Sequence, residues 1–213
     1  MKLILVKRMI KKGVLKNKYI KLMWWFIKRQ PLPTVDGKYL HLGCGTIDYP
    51  DFINIDIYPY HHIHFIRDVQ NLKIFKDNSI DLIYISHCLE HFSFIRLPNI
   101  LEEYFRVLKP SGILRISVPD FEKILAIYHK ENTIQSIEAG LMGGQEYKYN
   151  FHYSVFNQNF LEKLLKDAGF SKTQNWQFGD GRFKDLPDWS GKKVEVSESG
   201  KTYEISLNIE AIK

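Results

Sequence analysis

Two glycines follow the first apolar run of the central region, in the sequence His41-Leu42-Gly43-Cys44-Gly45. Glycine has no side chain, so such a loop lets the backbone turn tightly and approach a bound ligand. Alone the pattern is weak, because ordinary turns at strand ends share it. Asp56 closes the next apolar run, where a carboxylate can accept both hydroxyls of a ribose. The loop and the acid together predict a nucleoside site.

The spacing of these residues argues against a dinucleotide. The pattern G-x-G-x-x-G would require glycine at Asp48, and its acid normally follows about 20 residues on, whereas Asp56 comes sooner. Residues 46–52 alone join the loop to the next strand, so a full first helix does not fit. Such a loop is poorly suited to a pyrophosphate. S-adenosylmethionine, which has none, is therefore the expected cofactor.

Histidines form a second group of candidate chemical residues. His87-Cys88-Leu89-Glu90-His91 spells H-x-x-E-H, the pattern of inverted zinc peptidases, which requires a helix and a third ligand. Here the motif directly follows a predicted buried strand, and zinc would also need a third protein ligand and an acid near it. We assign no metal site and keep a zinc-dependent hydrolase as an alternative function. His61, His62 and His64 lack Cys or Glu at ligand spacing, so we interpret them as loop residues.

These residues must be positioned by a sheet, because short β-rich runs alternate with longer helical patterns from residue 38 onward. We predict strands at residues 38–42, 53–57, 64–67, 80–86, 112–118, 172–177 and 203–213. Apolar residues recur at helical spacing over residues 96–108 and 159–168. The expected fold class is α/β with a largely parallel sheet.

A basic amphipathic arm covers residues 1–30, which contain ten of the chain's 30 Lys and Arg residues and no Asp or Glu. Lysines interrupt every apolar run, which argues against a membrane span or a cleaved signal. Two interpretations stay open: the arm lies on an anionic membrane or a lipid-linked substrate, or it packs on the core. Nucleic acid is the less favoured partner.

Pro31 and Pro33 break any helix, so we predict that one catalytic domain covers residues 31–213. The two cysteines, Cys44 and Cys88, show no disulfide pattern, which favours a reducing compartment. We expect a cytoplasmic protein, peripheral to the inner face of the membrane if the arm binds lipid.

The order of motifs resembles the class I S-adenosylmethionine-dependent methyltransferases, especially a small-molecule branch found beside surface-glycan synthesis enzymes. The resemblance spans residues 38–213 and rests on HLGCG, INID, RDVQNL, DNSIDLIYISHCLEHF and EEYFRVLKPSGILRISVPD. It implies a Rossmann-like α/β fold with a mostly parallel seven-stranded sheet and helices on both faces. It also implies methyl transfer to a small-molecule or sugar hydroxyl in glycan synthesis. A catalytically silent adaptor of the same fold, acting at a membrane or glycan, is another alternative.

The resemblance implies roles for individual residues at the strand ends. The cofactor contacts would be Gly43, Cys44 and Gly45 at the methionine and ribose end, Asp56 at the ribose hydroxyls, Asp68 and Val69 at adenine, and Ser86 and His87 at the methionine side. His152 is the first candidate for removing the acceptor's proton, followed by His91 and His87, because histidine suits this role near neutral pH. A structural histidine bonded to the backbone is the alternative for His152.

Residues near the expected acceptor are less specific. Asp120 follows the fifth strand and would either bind the acceptor or cap the next helix. Residues 140–147 are predicted to form a loop over the pocket. Tyr147, Tyr149 and Tyr153 would either stack on an acceptor or pack within the fold.

Overall fold

A computed structural model describes residues 22, 25–26, 30–34, 36–179, 183, 186–197 and 199–213. The strands in this part of the chain are β1 Tyr39–Leu42, β2 Ile53–Asp56, β3 Phe65–Ile66, β4 Ile80–Ser86, β5 Leu108–Pro119, β6 Lys172–Asn175, β7 Lys193–Val196, β8 Lys201–Glu204 and β9 Ser206–Ile212. The α-helices there are α1 Leu97–Val107, α2 Phe121–Glu131, α3 Glu138–Met142 and α4 Gln158–Asp167. Two short 3-10 turns cover Leu89–His91 and Trp189–Gly191.

Seven strands form one sheet in the order β3-β2-β1-β4-β5-β9-β6, while β7 and β8 form a separate hairpin. The pairs from β3 to β5 are parallel, and β9 runs antiparallel to both of its neighbours. Between β1 and β4 the order of strands in the sheet differs from their order along the chain. At such a switch point the carboxyl ends of neighbouring strands leave a crevice. The predicted α/β, Rossmann-like, mostly parallel seven-stranded fold is confirmed.

Successive side chains of a β-strand point to opposite faces of the sheet, so those of β4 belong to two different hydrophobic clusters. Ile83 and Ile85 belong to the main core, which also contains the apolar stripes of α1 and α4. The spacing of Leu97, Leu101 and Tyr104 explains why α1 buries one side, because these residues recur at helical intervals. Two other β4 side chains join an aromatic cluster, whose buried members are Phe52, Leu82, Tyr84, Trp176, Phe183 and Leu186.

The predicted strand over residues 203–213 is wrong in one respect, since the structure divides this region into β8 and β9. Tyr203 pairs with Val194 across the β7–β8 hairpin, whereas Ser206 already pairs with Pro119 of β5. Ile205 lies between the two strands and packs with Ile127 and Val196. The chain therefore changes partners at this buried residue.

Other boundaries differ by smaller amounts. The fifth strand begins at Leu108 rather than at residue 112, because the end of α1 leads directly into extended backbone. Residues 140–147 are not wholly a loop, since α3 continues to Met142. The absence of a helix in residues 46–52 is confirmed.

The proposed amphipathic arm lies mostly outside the described residues. Within the described part of the arm, the Trp25 indole donates a hydrogen bond to the carbonyl of Ile63. No helix in the described ranges is long and apolar enough to span a membrane.

Candidate active site

A cavity of about 1100 Å³ lies at the carboxyl ends of β1, β2 and β4. This volume exceeds that of a typical small-ligand pocket, so it can hold two ligands side by side. The structure brings together every residue that we assigned to the cofactor: the lining includes Gly43, Cys44, Gly45, Asp56, Asp68, Val69, Ser86 and His87.

The glycine loop after β1 has the backbone conformation for which glycine is suited. Gly43 and Gly45 have φ angles of 63° and 56°, in the left-handed region. A Cβ atom on Gly43 would lie 2.4 Å from the Cys88 sulfur, whereas a Cβ atom on Gly45 would meet no protein atom within 4 Å. Gly43 therefore allows two loops to pack, and Gly45 leaves the space beside the loop open.

Asp56 at the end of β2 connects the glycine loop to the loop that follows β2. Its side-chain oxygens accept hydrogen bonds from the backbone N–H groups of Gly45 at 2.9 Å and Tyr58 at 2.8 Å. Each carboxylate oxygen can accept a second hydrogen bond. A buried carboxylate held in this way remains able to accept ribose hydroxyls.

The other predicted cofactor residues follow β3 and β4. Asp68 is exposed and accepts the backbone N–H of Gln70 at 3.0 Å, which fixes a turn, while Val69 is buried. The Ser86 hydroxyl is buried and interacts with the Tyr84 side chain. Because Ser86 also lines the cavity, its hydroxyl suits contact with a polar ligand.

Three histidines surround the carboxyl group of Glu90, which is only 1% exposed. The Glu90 Oε1 atom lies 3.5 Å from His87 Nδ1 and 3.9 Å from His152 Nε2. The rings of His91 and His152 are 5.0 Å apart. Neither carboxyl oxygen of Glu90 has a hydrogen-bond partner on another of the described residues.

Backbone hydrogen bonds bring His152 to this cluster from a distant part of the chain. Tyr153 N donates to Glu90 O at 2.8 Å, and His152 N donates to Met142 O at 3.0 Å. His91 lines the cavity, whereas His152 is not one of the lining residues and lies beside the His91 ring. Of the two catalytic candidates, His91 is therefore nearer to a bound acceptor.

Burial controls the protonation of the cluster. It lowers the pKa of His87 to about 3 and that of His152 to about 4. It also lowers the pKa of His91, and it raises the pKa of Glu90 to about 8. The three imidazoles are therefore neutral near pH 7 and can accept protons.

The inverted zinc peptidases require the H-x-x-E-H motif to lie in an α-helix. In this chain the motif does not lie in an α-helix. His87 has a φ angle of 45°, and Leu89–His91 forms a single 3-10 turn directly after β4. The helical zinc-peptidase arrangement is thus absent from this described segment. The approach of His152 could not be recognised from the sequence, because no local spacing relates it to Glu90.

Tyrosines line another side of the cavity. Tyr58, Tyr147, Tyr149 and Tyr153 all belong to the lining, and Tyr58 lies 6.3 Å from the Tyr147 ring and 5.9 Å from the Tyr149 ring. Tyr147 and Tyr153 are more than half exposed, so they offer ring faces to a ligand.

Asp120 was expected either to bind the acceptor or to cap the next helix. Its carboxyl oxygen accepts the Glu122 N–H at the start of α2, which supports the capping interpretation.

The sequence interpretation missed Asp188 and Trp189, which also line the cavity. Asp188 is buried, and it accepts hydrogen bonds from the Tyr84 hydroxyl and from Ser190. An aspartate before Trp-Ser-Gly indicates a capped turn, but this signal does not connect the turn to the crevice. The contact depends on the way the segment before β7 folds across the sheet.

A family model described as a methyltransferase domain matches residues 26–175. This chain belongs to that family. It is a class I S-adenosylmethionine-dependent methyltransferase, with S-adenosylmethionine as its cofactor. The open space at Gly45, the Asp56 carboxylate and the buried Ser86 hydroxyl fit that cofactor.

Solved structures support the fold. A S-adenosylmethionine-dependent methyltransferase from Archaeoglobus fulgidus is 16% identical, with 91% of each chain covered and a TM-score of 0.52. One from Methanosarcina mazei is 19% identical, with 85% of this chain and 94% of that chain covered and a TM-score of 0.53. A search of curated protein sequences finds no match.

Proposed function

We propose that this methyltransferase methylates a hydroxyl group of a small-molecule or sugar acceptor, in the synthesis of a surface glycan. One observation carries the proposal: a single cavity combines the nucleoside-binding residues with a histidine and a wall of tyrosines. Aromatic rings pack well against the apolar faces of sugars. The exposed rings of Tyr147 and Tyr153 support such an acceptor.

The cofactor, when bound, supplies an electrophilic methyl group on a sulfonium. Gly43 and Gly45 would hold its methionine and ribose end, and Asp56 would hold its ribose hydroxyls. Asp68 and Val69 would contact its adenine, and Ser86 and His87 would line its methionine side. The role of the chain is then to align the acceptor oxygen with the methyl group and to exclude water.

His91 takes part directly in activating the acceptor hydroxyl. Its imidazole lines the cavity, and burial lowers its pKa, so the ring is neutral and can accept a proton. His152 acts as a positioning residue, because its ring packs 5.0 Å from that of His91 and it is not part of the cavity lining. With these residues in place, the acceptor oxygen would receive the methyl group that the cofactor supplies.

The basic arm supports a location on the cytoplasmic side of an anionic membrane. Residues 1–30 combine ten basic residues with apolar and tryptophan side chains and have no acidic residue. Segments of this composition bind anionic lipid surfaces. A peripheral enzyme would meet acceptors that are themselves attached to lipid.

The substitution His91→Ala tests the proposed chemistry. We expect the variant to bind S-adenosylhomocysteine as the wild type does and to transfer methyl groups at least about 100-fold more slowly, because activation of the nucleophile is lost. Calorimetry measures the first quantity. Incorporation of labelled methyl groups into a panel of sugars and small alcohols measures the second.

His129→Ala is the matched control, since His129 is exposed on α2 and is not one of the cavity residues. Its transfer rate should equal that of the wild type. Unchanged transfer in His91→Ala would refute the role of His91. Methylation of amines with no methylation of any hydroxyl would refute the acceptor class.

A further inference from the structure

The cluster around Glu90 has an unusual imbalance of hydrogen-bond donors and acceptors. Its carboxyl group is buried, and neither oxygen has a hydrogen-bond partner on another of the described residues. One ligand atom each from Glu90, His91 and His152 lie within 4.8 Å of one another. Buried polar groups without partners are uncommon in folded proteins, so the cluster requires an explanation.

The backbone determines which nitrogen of each histidine carries its proton. His91 Nδ1 lies 3.1 Å from the carbonyl of Phe151, and His152 Nδ1 lies 3.1 Å from the carbonyl of Gly140. A carbonyl oxygen only accepts, so each Nδ1 carries the proton and each Nε2 carries a lone pair. Each Nε2 therefore presents a lone pair that can bind a ligand.

His87 completes the same pattern on another side of the carboxylate. Its Nε2 lies 2.8 Å from the Ser206 hydroxyl, which itself donates to the Trp189 carbonyl at 2.9 Å. The hydroxyl must therefore accept from His87 Nε2, which leaves a lone pair on Nδ1. That atom lies 3.5 Å from Glu90 Oε1. The lone pairs of these histidines thus converge on the Glu90 carboxyl group.

We propose that Glu90, His91 and His152 together bind one divalent transition-metal ion, of which Zn²⁺ is the best match. Two imidazoles and one carboxylate form a known ligand set for catalytic zinc, which keeps a further position open. Nitrogen ligands favour Zn²⁺ over Mg²⁺. Hydrogen bonds from the opposite ring nitrogen to backbone carbonyls are also typical of metal-binding histidines.

The distances are compatible with this assignment after a small closure. Ligand atoms about 2.0–2.1 Å from one zinc ion are separated by no more than about 4.2 Å. The Glu90 Oε1 to His152 Nε2 distance of 3.9 Å already satisfies this limit. The remaining separations, all within 4.8 Å, require movements well below the length of a side chain.

This inference rests on the proposed function only in the role that it gives to the ion. His91 lines the cavity, so an open coordination position beside it can accept the acceptor hydroxyl. Coordination lowers the pKa of the hydroxyl, whose proton passes to water. The oxygen–carbon bond then forms while the electron pair of the carbon–sulfur bond stays on sulfur. With the ion bound, His91 would activate the hydroxyl as a metal ligand and would no longer be the proton acceptor.

Zinc binding to the full-length protein tests the site without measuring turnover. Protein stripped with a chelator and then titrated with zinc sulfate should bind one ion per chain, with a rise in the thermal unfolding midpoint. His152→Ala and Glu90→Gln should each weaken the affinity at least about 100-fold, since even second-shell changes cost 10- to 100-fold. Thermal unfolding of both variants in chelator verifies that they are folded.

His61→Ala is the matched control, because Asp48, His61 and His62 form another metal-competent group in the described ranges. It should leave the zinc affinity unchanged. The proposal is overturned if the wild type binds no zinc, or if His61→Ala abolishes binding while His152→Ala and Glu90→Gln do not. Magnesium chloride in millimolar excess should not displace the zinc.

The proposed function has a separate outcome. Hydroxyl methylation at full rate in chelator would exclude the role of the ion and leave the methyl-transfer proposal intact. Stoichiometric zinc binding without methylation of any hydroxyl would support the metal site and refute the proposed hydroxyl acceptor.

Discussion

The cofactor residues show how much chemistry can be predicted from residue type and position. Gly43, Asp56 and Ser86 stand at the ends of strands, and parallel strands direct their carboxyl ends to one edge of the sheet. Residues at such positions meet even when they are far apart in the sequence. In the structure the residues predicted to contact the cofactor line one cavity.

Asp56→Asn is expected to weaken the binding of S-adenosylhomocysteine by about 1.5–3 kcal/mol, the range for lost hydrogen bonds to a charged group. The amide would also present a donor where the backbone N–H groups of Gly45 and Tyr58 now donate. Calorimetric titration measures the change. Asp51→Asn is the control, because Asp51 precedes β2 and is not one of the cavity residues. Equal affinities in the two variants would show that Asp56 does not contact the ribose.

His152 and Asp188 show the limit of prediction at this scale. His152 could be proposed as a base from its type, but its position beside Glu90 depends on backbone contacts between distant segments. Asp188 has no local signal that relates it to the crevice. Both residues are placed by loops, whose paths are set by tertiary packing and not by periodicity.

At the scale of elements, helix α1 was easy to predict and β8 was not. The buried positions of α1 recur at helical spacing, so a prediction over residues 96–108 comes within one residue of each boundary. The region 203–213 is apolar enough for a single strand. Its division depends on the separate partners of β8 and β9, which no pattern within this region reveals.

Glu103 connects α1 to the loop after β3, and this contact predicts a pH-dependent stability. It accepts the Leu72 N–H at 2.9 Å and the Arg106 guanidinium at 2.8 Å. The hydrogen bond from Arg106, more than any other interaction, holds the pKa of Glu103 below its ordinary value. A lowered carboxyl pKa stabilises the fold above the unfolded-state pKa of about 4.3, and this stabilisation is lost as pH falls through the folded-state value.

Glu103→Gln should therefore reduce the free energy of unfolding by about 1–2 kcal/mol near neutral pH. The difference in free energy of unfolding between the variant and the wild type should decrease steadily as the pH falls below the ordinary carboxyl pKa. Urea unfolding at several pH values measures both effects. Glu102→Gln, exposed on the same helix, serves as the control and should change stability little. A difference that persists undiminished in acid would contradict the argument.

For the molecule as a whole, charge is distributed unevenly between the arm and the remaining chain. Residues 1–21 contain eight of the ten basic residues of the arm, and deleting them retains Trp25, which bonds to Ile63. We expect the deletion to reduce binding to anionic vesicles at least about 10-fold, because each basic residue near the surface contributes about 1 kcal/mol. Affinity for S-adenosylhomocysteine should not change.

Co-sedimentation with phosphatidylserine-containing vesicles measures the first effect, and pure phosphatidylcholine vesicles are the control. Equal sedimentation of the deletion variant and the full chain would favour the interpretation in which the arm packs on the core. The whole fold class could be predicted from alternating patterns, but the surface to which the arm attaches could not.

The antiparallel insertion of β9 between β5 and β6 also constrains the order of events during synthesis. The ribosome releases β6 before β9, although β9 is the strand that joins β6 to the sheet. The interval from Asn175 to Ser206 corresponds to roughly 2–6 s at ordinary translation rates. During this time one edge of β5, with its apolar side chains, has no strand partner and is exposed to other nascent chains. The sequence order of this sheet thus leaves β5 with an unpaired edge, a surface prone to pair with other chains, until β9 is made.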